Sequence, residues 1–301
     1  MSQHISKVDI AAFDKEVKQA YAANPGLRET IRKKTDVVGS TYRFQKMSQG
    51  KANKKVPQAD VTLMNIDYGT VTCTLEDWVA SELSDRFDQL KINFTERKEL
   101  ATISAKAIRR CEDQLIINAL EADPGNTVPV DYPDTGTNTG MNTAKFRLTK
   151  RYLDFLSVPG TDRHMVMSSE ALFDMLGDDD ADTFDKNAVK MLVQGELTTW
   201  LGFNIRTIGK MTEGGLPITP DPDNFRSCFA YHTDCVGIAI GQALMTEINY
   251  IPMKTSWLIN SLFSAGSVVI DNTGVVKVLS MEEGPEMVFK NLSPKFAKKR
   301  G

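Results

Sequence analysis

The longest regular pattern of apolar and polar residues runs from residue 93 to residue 122 and has the period of an α-helix. Its apolar side chains recur three or four positions apart, so they share one stripe: Leu100, Ile103, Ala107, Cys111, Leu115 and Ala119, widened by Ile108, Ile116 and Leu120. The other side carries Lys106, Arg109, Arg110 and Asp113. Asn93 and Glu96 match an N-cap and its capping-box partner, and Asp123-Pro124-Gly125 ends the pattern. We therefore predict a spine helix of roughly 40 Å, at about 1.5 Å per residue.

Strand-like alternation occurs on both sides of a basic stretch. Residues 37–47 alternate with Tyr42 and Phe44 on one face, and residues 69–75 alternate again. The polar stretch 48–58 between them contains Lys51, Lys54 and Lys55. This pattern predicts two strands around a long excursion, which would be a lid in a compact enzyme or an arm over a neighbour in an assembly.

Other periodic segments surround the spine. The predicted helices of the first half are residues 5–23, 27–34, 78–87 and 144–158. The last of these should turn Phe146, Leu153 and Leu156 inward, and the exposed loop 131–143 precedes it. Pro159-Gly160 follows, and we place a domain boundary there.

The second half contains more strand-like segments. A buried strand at 163–167 leads into a helix capped by Ser168 or Ser169, with Leu172, Phe173 and Leu176 inward. Further helices are predicted at 187–202, ending at Gly202, and at 235–244, packed closely through Gly237 and Gly241. The predicted strands are residues 203–208, 226–232, 247–253, 256–270 and 275–280. The turn at Asp271–Gly274 predicts that the last two form a hairpin.

Composition and charge narrow the class of protein. The chain has 301 residues, of which 25% are charged and 41% hydrophobic, as in ordinary globular proteins. No apolar run reaches the length of a membrane span, and the first residues lack a signal-peptide core. Cys73, Cys111, Cys228 and Cys235 form no CxxC pair, and we expect reduced, mostly buried thiols of an intracellular product.

The net charge of −3 is unevenly distributed along the chain. Residues 1–60 hold twelve Lys and Arg against six Asp and Glu, so the remainder is acidic. A basic arm ahead of an acidic body indicates contact with an acidic surface, either a neighbouring copy or nucleic acid. A solvated basic segment explains the same pattern equally well.

The candidate chemical motifs do not favour an enzyme. Cys228, His232 and Cys235 have a spacing that matches no common zinc pattern, and the acidic loop with Asp178, Asp179, Asp180 and Asp182 lacks the ligand spacing of an EF-hand. There is no P-loop, GxGxxG or GxSxG motif. Asp85 with Asp88 and Glu282 with Glu283 read as solvated charge pairs. We predict no catalytic residue, no cofactor and no metal site.

The order of these segments resembles the major capsid proteins of tailed bacteriophages with the Hong Kong 97 (HK97-like) fold. A basic arm precedes a two-stranded loop, then TVTCTLEDWVASEL and the spine ending in EDQLIINAL, as in the peripheral domain of that family. RHMVMSSEALFDML and QGELTTWLGFNIRTI resemble the family's axial domain. YHTDCVGIAIGQ and the segment after it resemble the return to the peripheral domain, and the likeness covers about residues 35–283.

The resemblance implies an α+β capsid fold with five kinds of segment. These are an N-terminal arm at 1–36, an extended loop at 37–75, a peripheral domain at 76–158 and 249–283 containing the spine, an axial domain at 159–248, and a tail at 284–301. It also implies a structural, non-enzymatic subunit that assembles with itself into pentamers and hexamers of an icosahedral head shell around double-stranded DNA. We expect contacts between subunits at Lys51, Lys54, Lys55, Tyr42, Phe44, Arg109, Arg110, Arg28 and Arg32.

Further partners follow from the same resemblance. We expect a separate scaffolding protein, because no long helical scaffolding extension precedes the arm. The other expected partners are a portal, packaged DNA held by non-specific contact, and a cement protein. The chain would be part of the virion, assembled in the host cytoplasm. Some family members cross-link the extended loop through a lysine, but nothing in these residues argues for such a bond. The alternatives are an encapsulin-like cellular compartment and a soluble α+β enzyme or ligand-binding protein with a pocket near residue 159.

Overall fold

The computed structural model describes residues 26–58, 60, 63–89, 96–133, 136–177, 199–209, 211–219 and 224–282. The predicted arm helix, the Asn93 cap, the acidic loop after Gly177, most of the predicted helix that follows it, and the C-terminal tail lie outside these residues. Within the described residues there are four α-helices and twelve strands. The helices are α1 (Arg86–Gln89), α2 (Glu96–Ala122), α3 (Thr143–Phe155) and α4 (Ser169–Leu176). The strands are β1 (Arg32–Lys34), β2 (Thr41–Met47), β3 (Tyr68–Thr74), β4 (Glu76–Asp85), β5 (Asn126–Val128), β6 (Arg163–Ser168), β7 (Thr199–Trp200), β8 (Phe203–Ile208), β9 (Phe225–His232), β10 (Val236–Ile251), β11 (Ser256–Val269) and β12 (Val275–Met281).

Three sheets organise the described strands. A four-stranded sheet has the order β1-β10-β11-β4, and a six-stranded sheet has the order β5-β12-β9-β6-β8-β7. β2 and β3 pair only with each other, as an antiparallel ribbon. Strands of both larger sheets come from both sides of residue 159, and the division into peripheral and axial domains stays a prediction.

The spine helix α2 lies against the four-stranded sheet and contacts β11, β4 and β10. It ends at Ala122 as predicted. Ile108, Ile116 and Leu120, which were predicted to widen the apolar stripe, are at most 3% exposed, whereas Ile103, predicted within the stripe, is 49% exposed. Asp113, predicted on the other side, is buried. The core side of the helix therefore includes a carboxyl group.

Two predicted helices are strands. Residues 78–85 belong to β4, which pairs along its whole length with β11, and only Arg86–Gln89 are helical. Residues 236–244 belong to β10. The first five residues of β10 are all buried, so this strand lacks the alternation that usually marks one. The helix predicted at residues 27–34 is also wrong, because only Leu27–Thr30 are helical, as a short 3-10 helix, and the chain then continues into β1.

Two predicted turns have other roles. Leu201 and Gly202, with φ of 50° and 87°, form the two-residue connection of the β7–β8 hairpin, so Gly202 is not a helix C-cap. Asp271–Gly274 does form a turn, but β11 and β12 are not a hairpin. β11 belongs to the four-stranded sheet and β12 to the six-stranded sheet. The turn therefore carries the chain from one sheet to the other.

The helices α3 and α4 cover the six-stranded sheet. α3 contacts β12 and β5, and α4 contacts β6 and β8. Phe146 and Leu153 of α3 are fully buried as predicted, and the Ser168 hydroxyl accepts the Ala171 amide as the N-cap of α4. The predicted burial is wrong for two residues, because Leu156 is 36% exposed and Phe173 is 76% exposed. No described helix combines the length and hydropathy needed to cross a bilayer.

Candidate assembly interface

The extended loop leaves the body as the β2–β3 ribbon, whose last pair is Met47 opposite Tyr68. Beyond that pair, the described residues of the segment 48–67 are almost all exposed. Large apolar side chains of this segment and its base face solvent, and Met47, Leu63 and Tyr68 are 62%, 77% and 77% exposed. Lys51, Lys54 and Lys55 are exposed beside them. The loop therefore combines apolar and cationic groups without a core of its own.

A small apolar cluster holds the base of this ribbon against the body. We call it the loop root: Phe44 and Cys73 from the ribbon, with Ala239 of β10 and Ile270. Tyr42 packs edge-to-face on Phe44, with ring centroids 4.9 Å apart. Phe44 is only 2% exposed, so its ring is occupied within the chain, and the predicted contact with another subunit would have to involve Tyr42.

Two glycines of the four-stranded sheet make room for the loop root. A Cβ at Gly237 would lie 2.7 Å from Cζ of Phe44, closer than van der Waals contact allows. A Cβ at Gly266 would overlap the carbonyl oxygen of Thr74, which is backbone and cannot rotate away. The predicted close packing at Gly237 is thus confirmed, although it occurs in a strand. An ion pair between Lys46 and Asp271, 2.9 Å apart, lies at the rim.

The N-terminal arm enters the body at a different place, which we call the arm root, residues 26–34. The Asp113 carboxylate of α2 accepts the Leu27 amide at 3.3 Å, and Tyr231 of β9 hydrogen-bonds the buried Thr30 hydroxyl at 2.6 Å. Arg206 of β8 donates to the Gly26 carbonyl at 3.0 Å. β1 then pairs in parallel with β10. The arm root therefore joins the spine and both large sheets.

Two buried acids of α2 face the arm root. The pKa of Asp113 is raised to about 7, chiefly by burial and also by the neighbouring Glu112, although the Leu27 and Gly26 amides and Arg206 act to lower it. Burial also raises the pKa of Glu112, against the opposing effect of Arg28, whose guanidinium lies 3.4 Å away. Neither acid was recognised from sequence, because charged residues are expected on the outer side of an amphipathic helix.

The remaining residues predicted to contact another subunit lie around these two roots. Arg109 and Arg32 are exposed. Arg110 approaches Glu213 at 3.5 Å, and Arg28 is the partner of Glu112. The structure therefore groups Arg28 and Arg32 at the arm root, separates them from the lysines of the loop, and leaves the role of all of them between subunits as a proposal.

The structure also contains a buried ion pair between Arg226 and Glu282 that was not predicted from the sequence. Glu282, predicted to be a solvated charge, is 6% exposed and accepts two bonds from Arg226, at 2.8 and 2.9 Å. The Ser168 hydroxyl donates to its other oxygen. Although burial opposes it, this bonding lowers the pKa of Glu282. The pair ties the end of β12 to β9 and to the cap of α4.

Lys145 of α3 is fully buried beneath the loop that precedes the helix. Its ammonium group donates to the carbonyl oxygens of Thr139, Gly140 and Leu279 at 2.8 to 3.0 Å. Burial lowers the pKa of Lys145 to about 8. All three acceptors are backbone groups, so the lysine has the geometry of a structural tie between the loop and β12.

The four thiols are free and buried, as predicted. Burial raises the pKa of Cys111 to about 11 and those of Cys228 and Cys235 to about 12. Such thiols hold almost no thiolate at neutral pH, and the thiolate is the reactive form. Among the described residues no group of three His, Cys, Asp or Glu side chains is placed to hold a metal ion.

The chain belongs to the phage capsid protein family, because a family model described as phage capsid protein matches residues 5–282. It is a structural protein, a major capsid subunit of the virion that associates with copies of itself. No curated protein sequence matches the chain significantly.

Solved phage heads share its fold. The head structure of Helicobacter pylori bacteriophage KHP40 matches with a TM-score of 0.73 at 11% identity, covering 90% of this chain and 95% of that chain. Mycobacterium phage Che8 matches at 0.65 and 16% identity, covering 89% and 96%. The capsid of Ralstonia phage GP4 matches at 0.67 and 10% identity, covering 91% and 96%. The α+β fold is therefore the Hong Kong 97 fold, as the resemblance implied.

Proposed function

We propose that copies of this chain close into an icosahedral shell of pentamers and hexamers around double-stranded DNA, with each extended loop lying across the spine helix of a neighbour. The observation that carries this proposal is the exposed segment 48–67, whose apolar side chains have no covering element in the described part of their own chain. Burying them between subunits stabilises the shell, at roughly 25 cal/mol per Å² of apolar surface. Ile103 is 49% exposed, and the partly exposed Arg110 follows about two turns later on the same face of α2, so the two offer a mixed apolar and polar track for such a loop.

The further partners belong to the same proposal. The basic N-terminal segment runs from the arm root beneath another subunit, and the shell holds packaged DNA by non-specific contact. A separate scaffolding protein guides assembly in the host cytoplasm, a portal occupies one vertex, and a cement protein binds the outside. The family match favours this phage shell over an encapsulin-like compartment and over a soluble enzyme. The absence of catalytic activity stays a prediction.

The test removes the loop and keeps its root. Replacing residues 48–67 by Asn-Gly joins Met47 to Tyr68 through a two-residue turn, the connection that an antiparallel pair accepts best. The chain is expressed with and without its scaffolding partner, and its mass is measured by light scattering and its particles by negative-stain electron microscopy. We expect rings or shells from the natural chain. The shortened chain should stay small while keeping its circular dichroism and thermal unfolding.

A second variant separates charge from apolar contact. Changing Lys51, Lys54 and Lys55 to Gln keeps the length and the apolar side chains of the loop, so it should assemble with at most a modest loss. A shortened chain that assembles like the natural one would contradict the role of the loop. A natural chain that stays monomeric at high concentration, even with the scaffolding partner, would overturn the shell itself.

A further inference from the structure

We propose that a basic and aromatic stripe on α3 of one copy docks against an acidic and aromatic cleft beside α4 of the next copy, forming the contact that closes the capsomer ring. This inference rests on the proposed function, because it names the surfaces that would hold the ring together. The stripe consists of Arg147, Arg151 and Phe155, and the cleft is bordered by Glu170, Phe173 and Asp174. None of these residues was among the contacts expected from sequence.

The α3 stripe follows from helical spacing. Arg147, Arg151 and Phe155 are four residues apart, so they lie in one row along the helix. Both arginines are exposed, and Phe155 is 84% exposed. A shallow cleft beside the row is lined by Tyr132, Ala144 and Leu148 together with the two arginines. A row of this kind presents guanidinium groups and an aromatic ring to one partner.

The end of the stripe is held in place. Asp154, next to Phe155, forms an ion pair with Arg163 at 2.7 Å. The same guanidinium donates to the carbonyl oxygens of Val158 and Pro159 at 2.7 and 2.8 Å. Phe155 is thus presented on a helix terminus that is already fixed, so docking would order few further groups.

The α4 surface has the opposite charge. A cleft of about 430 Å³ lies between α4 and the loop that precedes α3. Glu170, Asp174 and Glu282 line it together with apolar Phe173 and Met281. Glu170 contacts the paired Glu282, and Asp174 lies within electrostatic reach of the Lys145 ammonium.

The two surfaces carry opposite charges, and each presents an exposed aromatic ring. Outside the extended loop, Phe155 and Phe173 are the two most exposed aromatic side chains of the described residues, so neither ring is covered in the single chain. A contact between two different surfaces of identical copies is heterologous, and a heterologous contact closes into a ring when its rotation allows. Oppositely charged patches also fix the register and speed the encounter. The second copy is therefore the occupant that these surfaces fit.

Charge reversal tests the pairing in the full-length chain. Arg147→Glu/Arg151→Glu should lower the fraction of chain in rings about tenfold or more, as expected for losing more than 1.4 kcal/mol of association free energy. Glu170→Lys/Asp174→Lys should do the same, and the chain that carries all four changes should recover ring formation. The control Arg86→Glu/Lys254→Glu makes the same change in net charge at exposed positions outside the stripe, the extended loop and the spine helix. It should neither prevent rings nor rescue the α4 variant.

The aromatic part is tested separately. Phe155→Ala should weaken the rings, whereas Phe87→Ala, which removes a ring that is 62% exposed elsewhere, should not. Circular dichroism and thermal unfolding of every variant must match the natural chain for its result to count. Rings at natural yield from Arg147→Glu/Arg151→Glu, or no recovery in the four-change chain when each pair alone is folded and ring-free, would overturn the docking. If the natural chain itself formed no rings or shells, the proposed shell function would be wrong, and not only the docking.

Discussion

The arm root and the loop root both attach a projecting segment to the same body, but they do so by different means. The loop root is a small apolar cluster, and its fit depends on two glycines that let Phe44 and the Thr74 backbone approach the sheet. The arm root is held by buried polar groups, among them Asp113, Thr30 and Tyr231. The loop root therefore depends on shape, whereas the arm root includes a buried carboxyl group, Asp113, whose pKa is raised by burial, so we expect its stability to depend on pH. The predictions below test each mechanism against the other.

The largest effect is expected from filling the space at the loop root. Gly266→Ala places a methyl group against the Thr74 carbonyl, and the ribbon must move to accept it. We expect a loss of about 3 kcal/mol in the free energy of unfolding, measured in urea, because overpacking against backbone is poorly relieved. Gly69→Ala is the matched control, since its added Cβ would meet its nearest neighbour at 3.9 Å. Equal stability of the two variants would show that the root tolerates displacement.

A smaller, pH-dependent effect is expected at the arm root. The folded-state pKa of Asp113 is raised to about 7, so the folded chain binds a proton more tightly than the unfolded chain. The stabilisation that this proton gives is fully present below about pH 4, and it is lost as the pH rises through 7. Asp113→Asn keeps an acceptor for the Leu27 amide and cannot ionise.

We therefore expect Asp113→Asn to gain about 1 to 3 kcal/mol relative to the natural chain between pH 4 and pH 8, measured by urea unfolding at each pH. The groups that face Asp113 are Glu112 of α2, Arg206 of β8 and Tyr231 of β9. Gly266→Ala should show no comparable slope with pH. A difference between natural chain and Asp113→Asn that does not change over this range would refute control by protonation.

The smallest effect is expected from the charged rim of the loop root. Lys46 and Asp271 form an ion pair 2.9 Å long, with both side chains at least one-third exposed. Exposed pairs of this kind contribute about 0 to 1 kcal/mol. Lys46→Ala should thus lower the unfolding free energy by about 0.5 kcal/mol, and less at 1 M salt because of screening. A loss as large as that of Gly266→Ala would mean that charge, and not shape, holds the loop.

The sequence predicted well the elements whose pattern is local. The spine, the loop ribbon and β11 all have a period that their own residues determine. The prediction of a helix where β10 begins was wrong, because the first residues of this strand are buried on both faces and its small apolar residues have the pattern of a closely packed helix. The prediction of a helix at residues 78–85 was wrong, because the strand there is determined by its long pairing with β11 and not by its own pattern.

The contacts between distant residues could not be predicted from one sequence. Glu282 and Arg226 are 56 positions apart, and Asp113 and Leu27 are 86 apart. Nothing local marks such acids as buried. The turn at Asp271–Gly274 was recognised from its residues, but turn chemistry does not say whether the strands on either side enter one sheet or two. The exposure of the loop lysines could be predicted, because an unanchored basic stretch is itself a local signal, whereas their contact with another subunit stays a prediction.

The turn at Asp271–Gly274 has a mechanical consequence. It joins the ends of β11 and β12, which belong to different sheets, and Lys46 of the loop ribbon bonds to Asp271 within it. Tension applied to the extended loop therefore reaches the four-stranded sheet directly, where β3 continues into β4, and also reaches this turn through Lys46 and through Ile270 in the loop root. A shell under pressure from inside would distribute that load over the hydrogen bonds of many strands in each subunit, so that no single strand edge carries it.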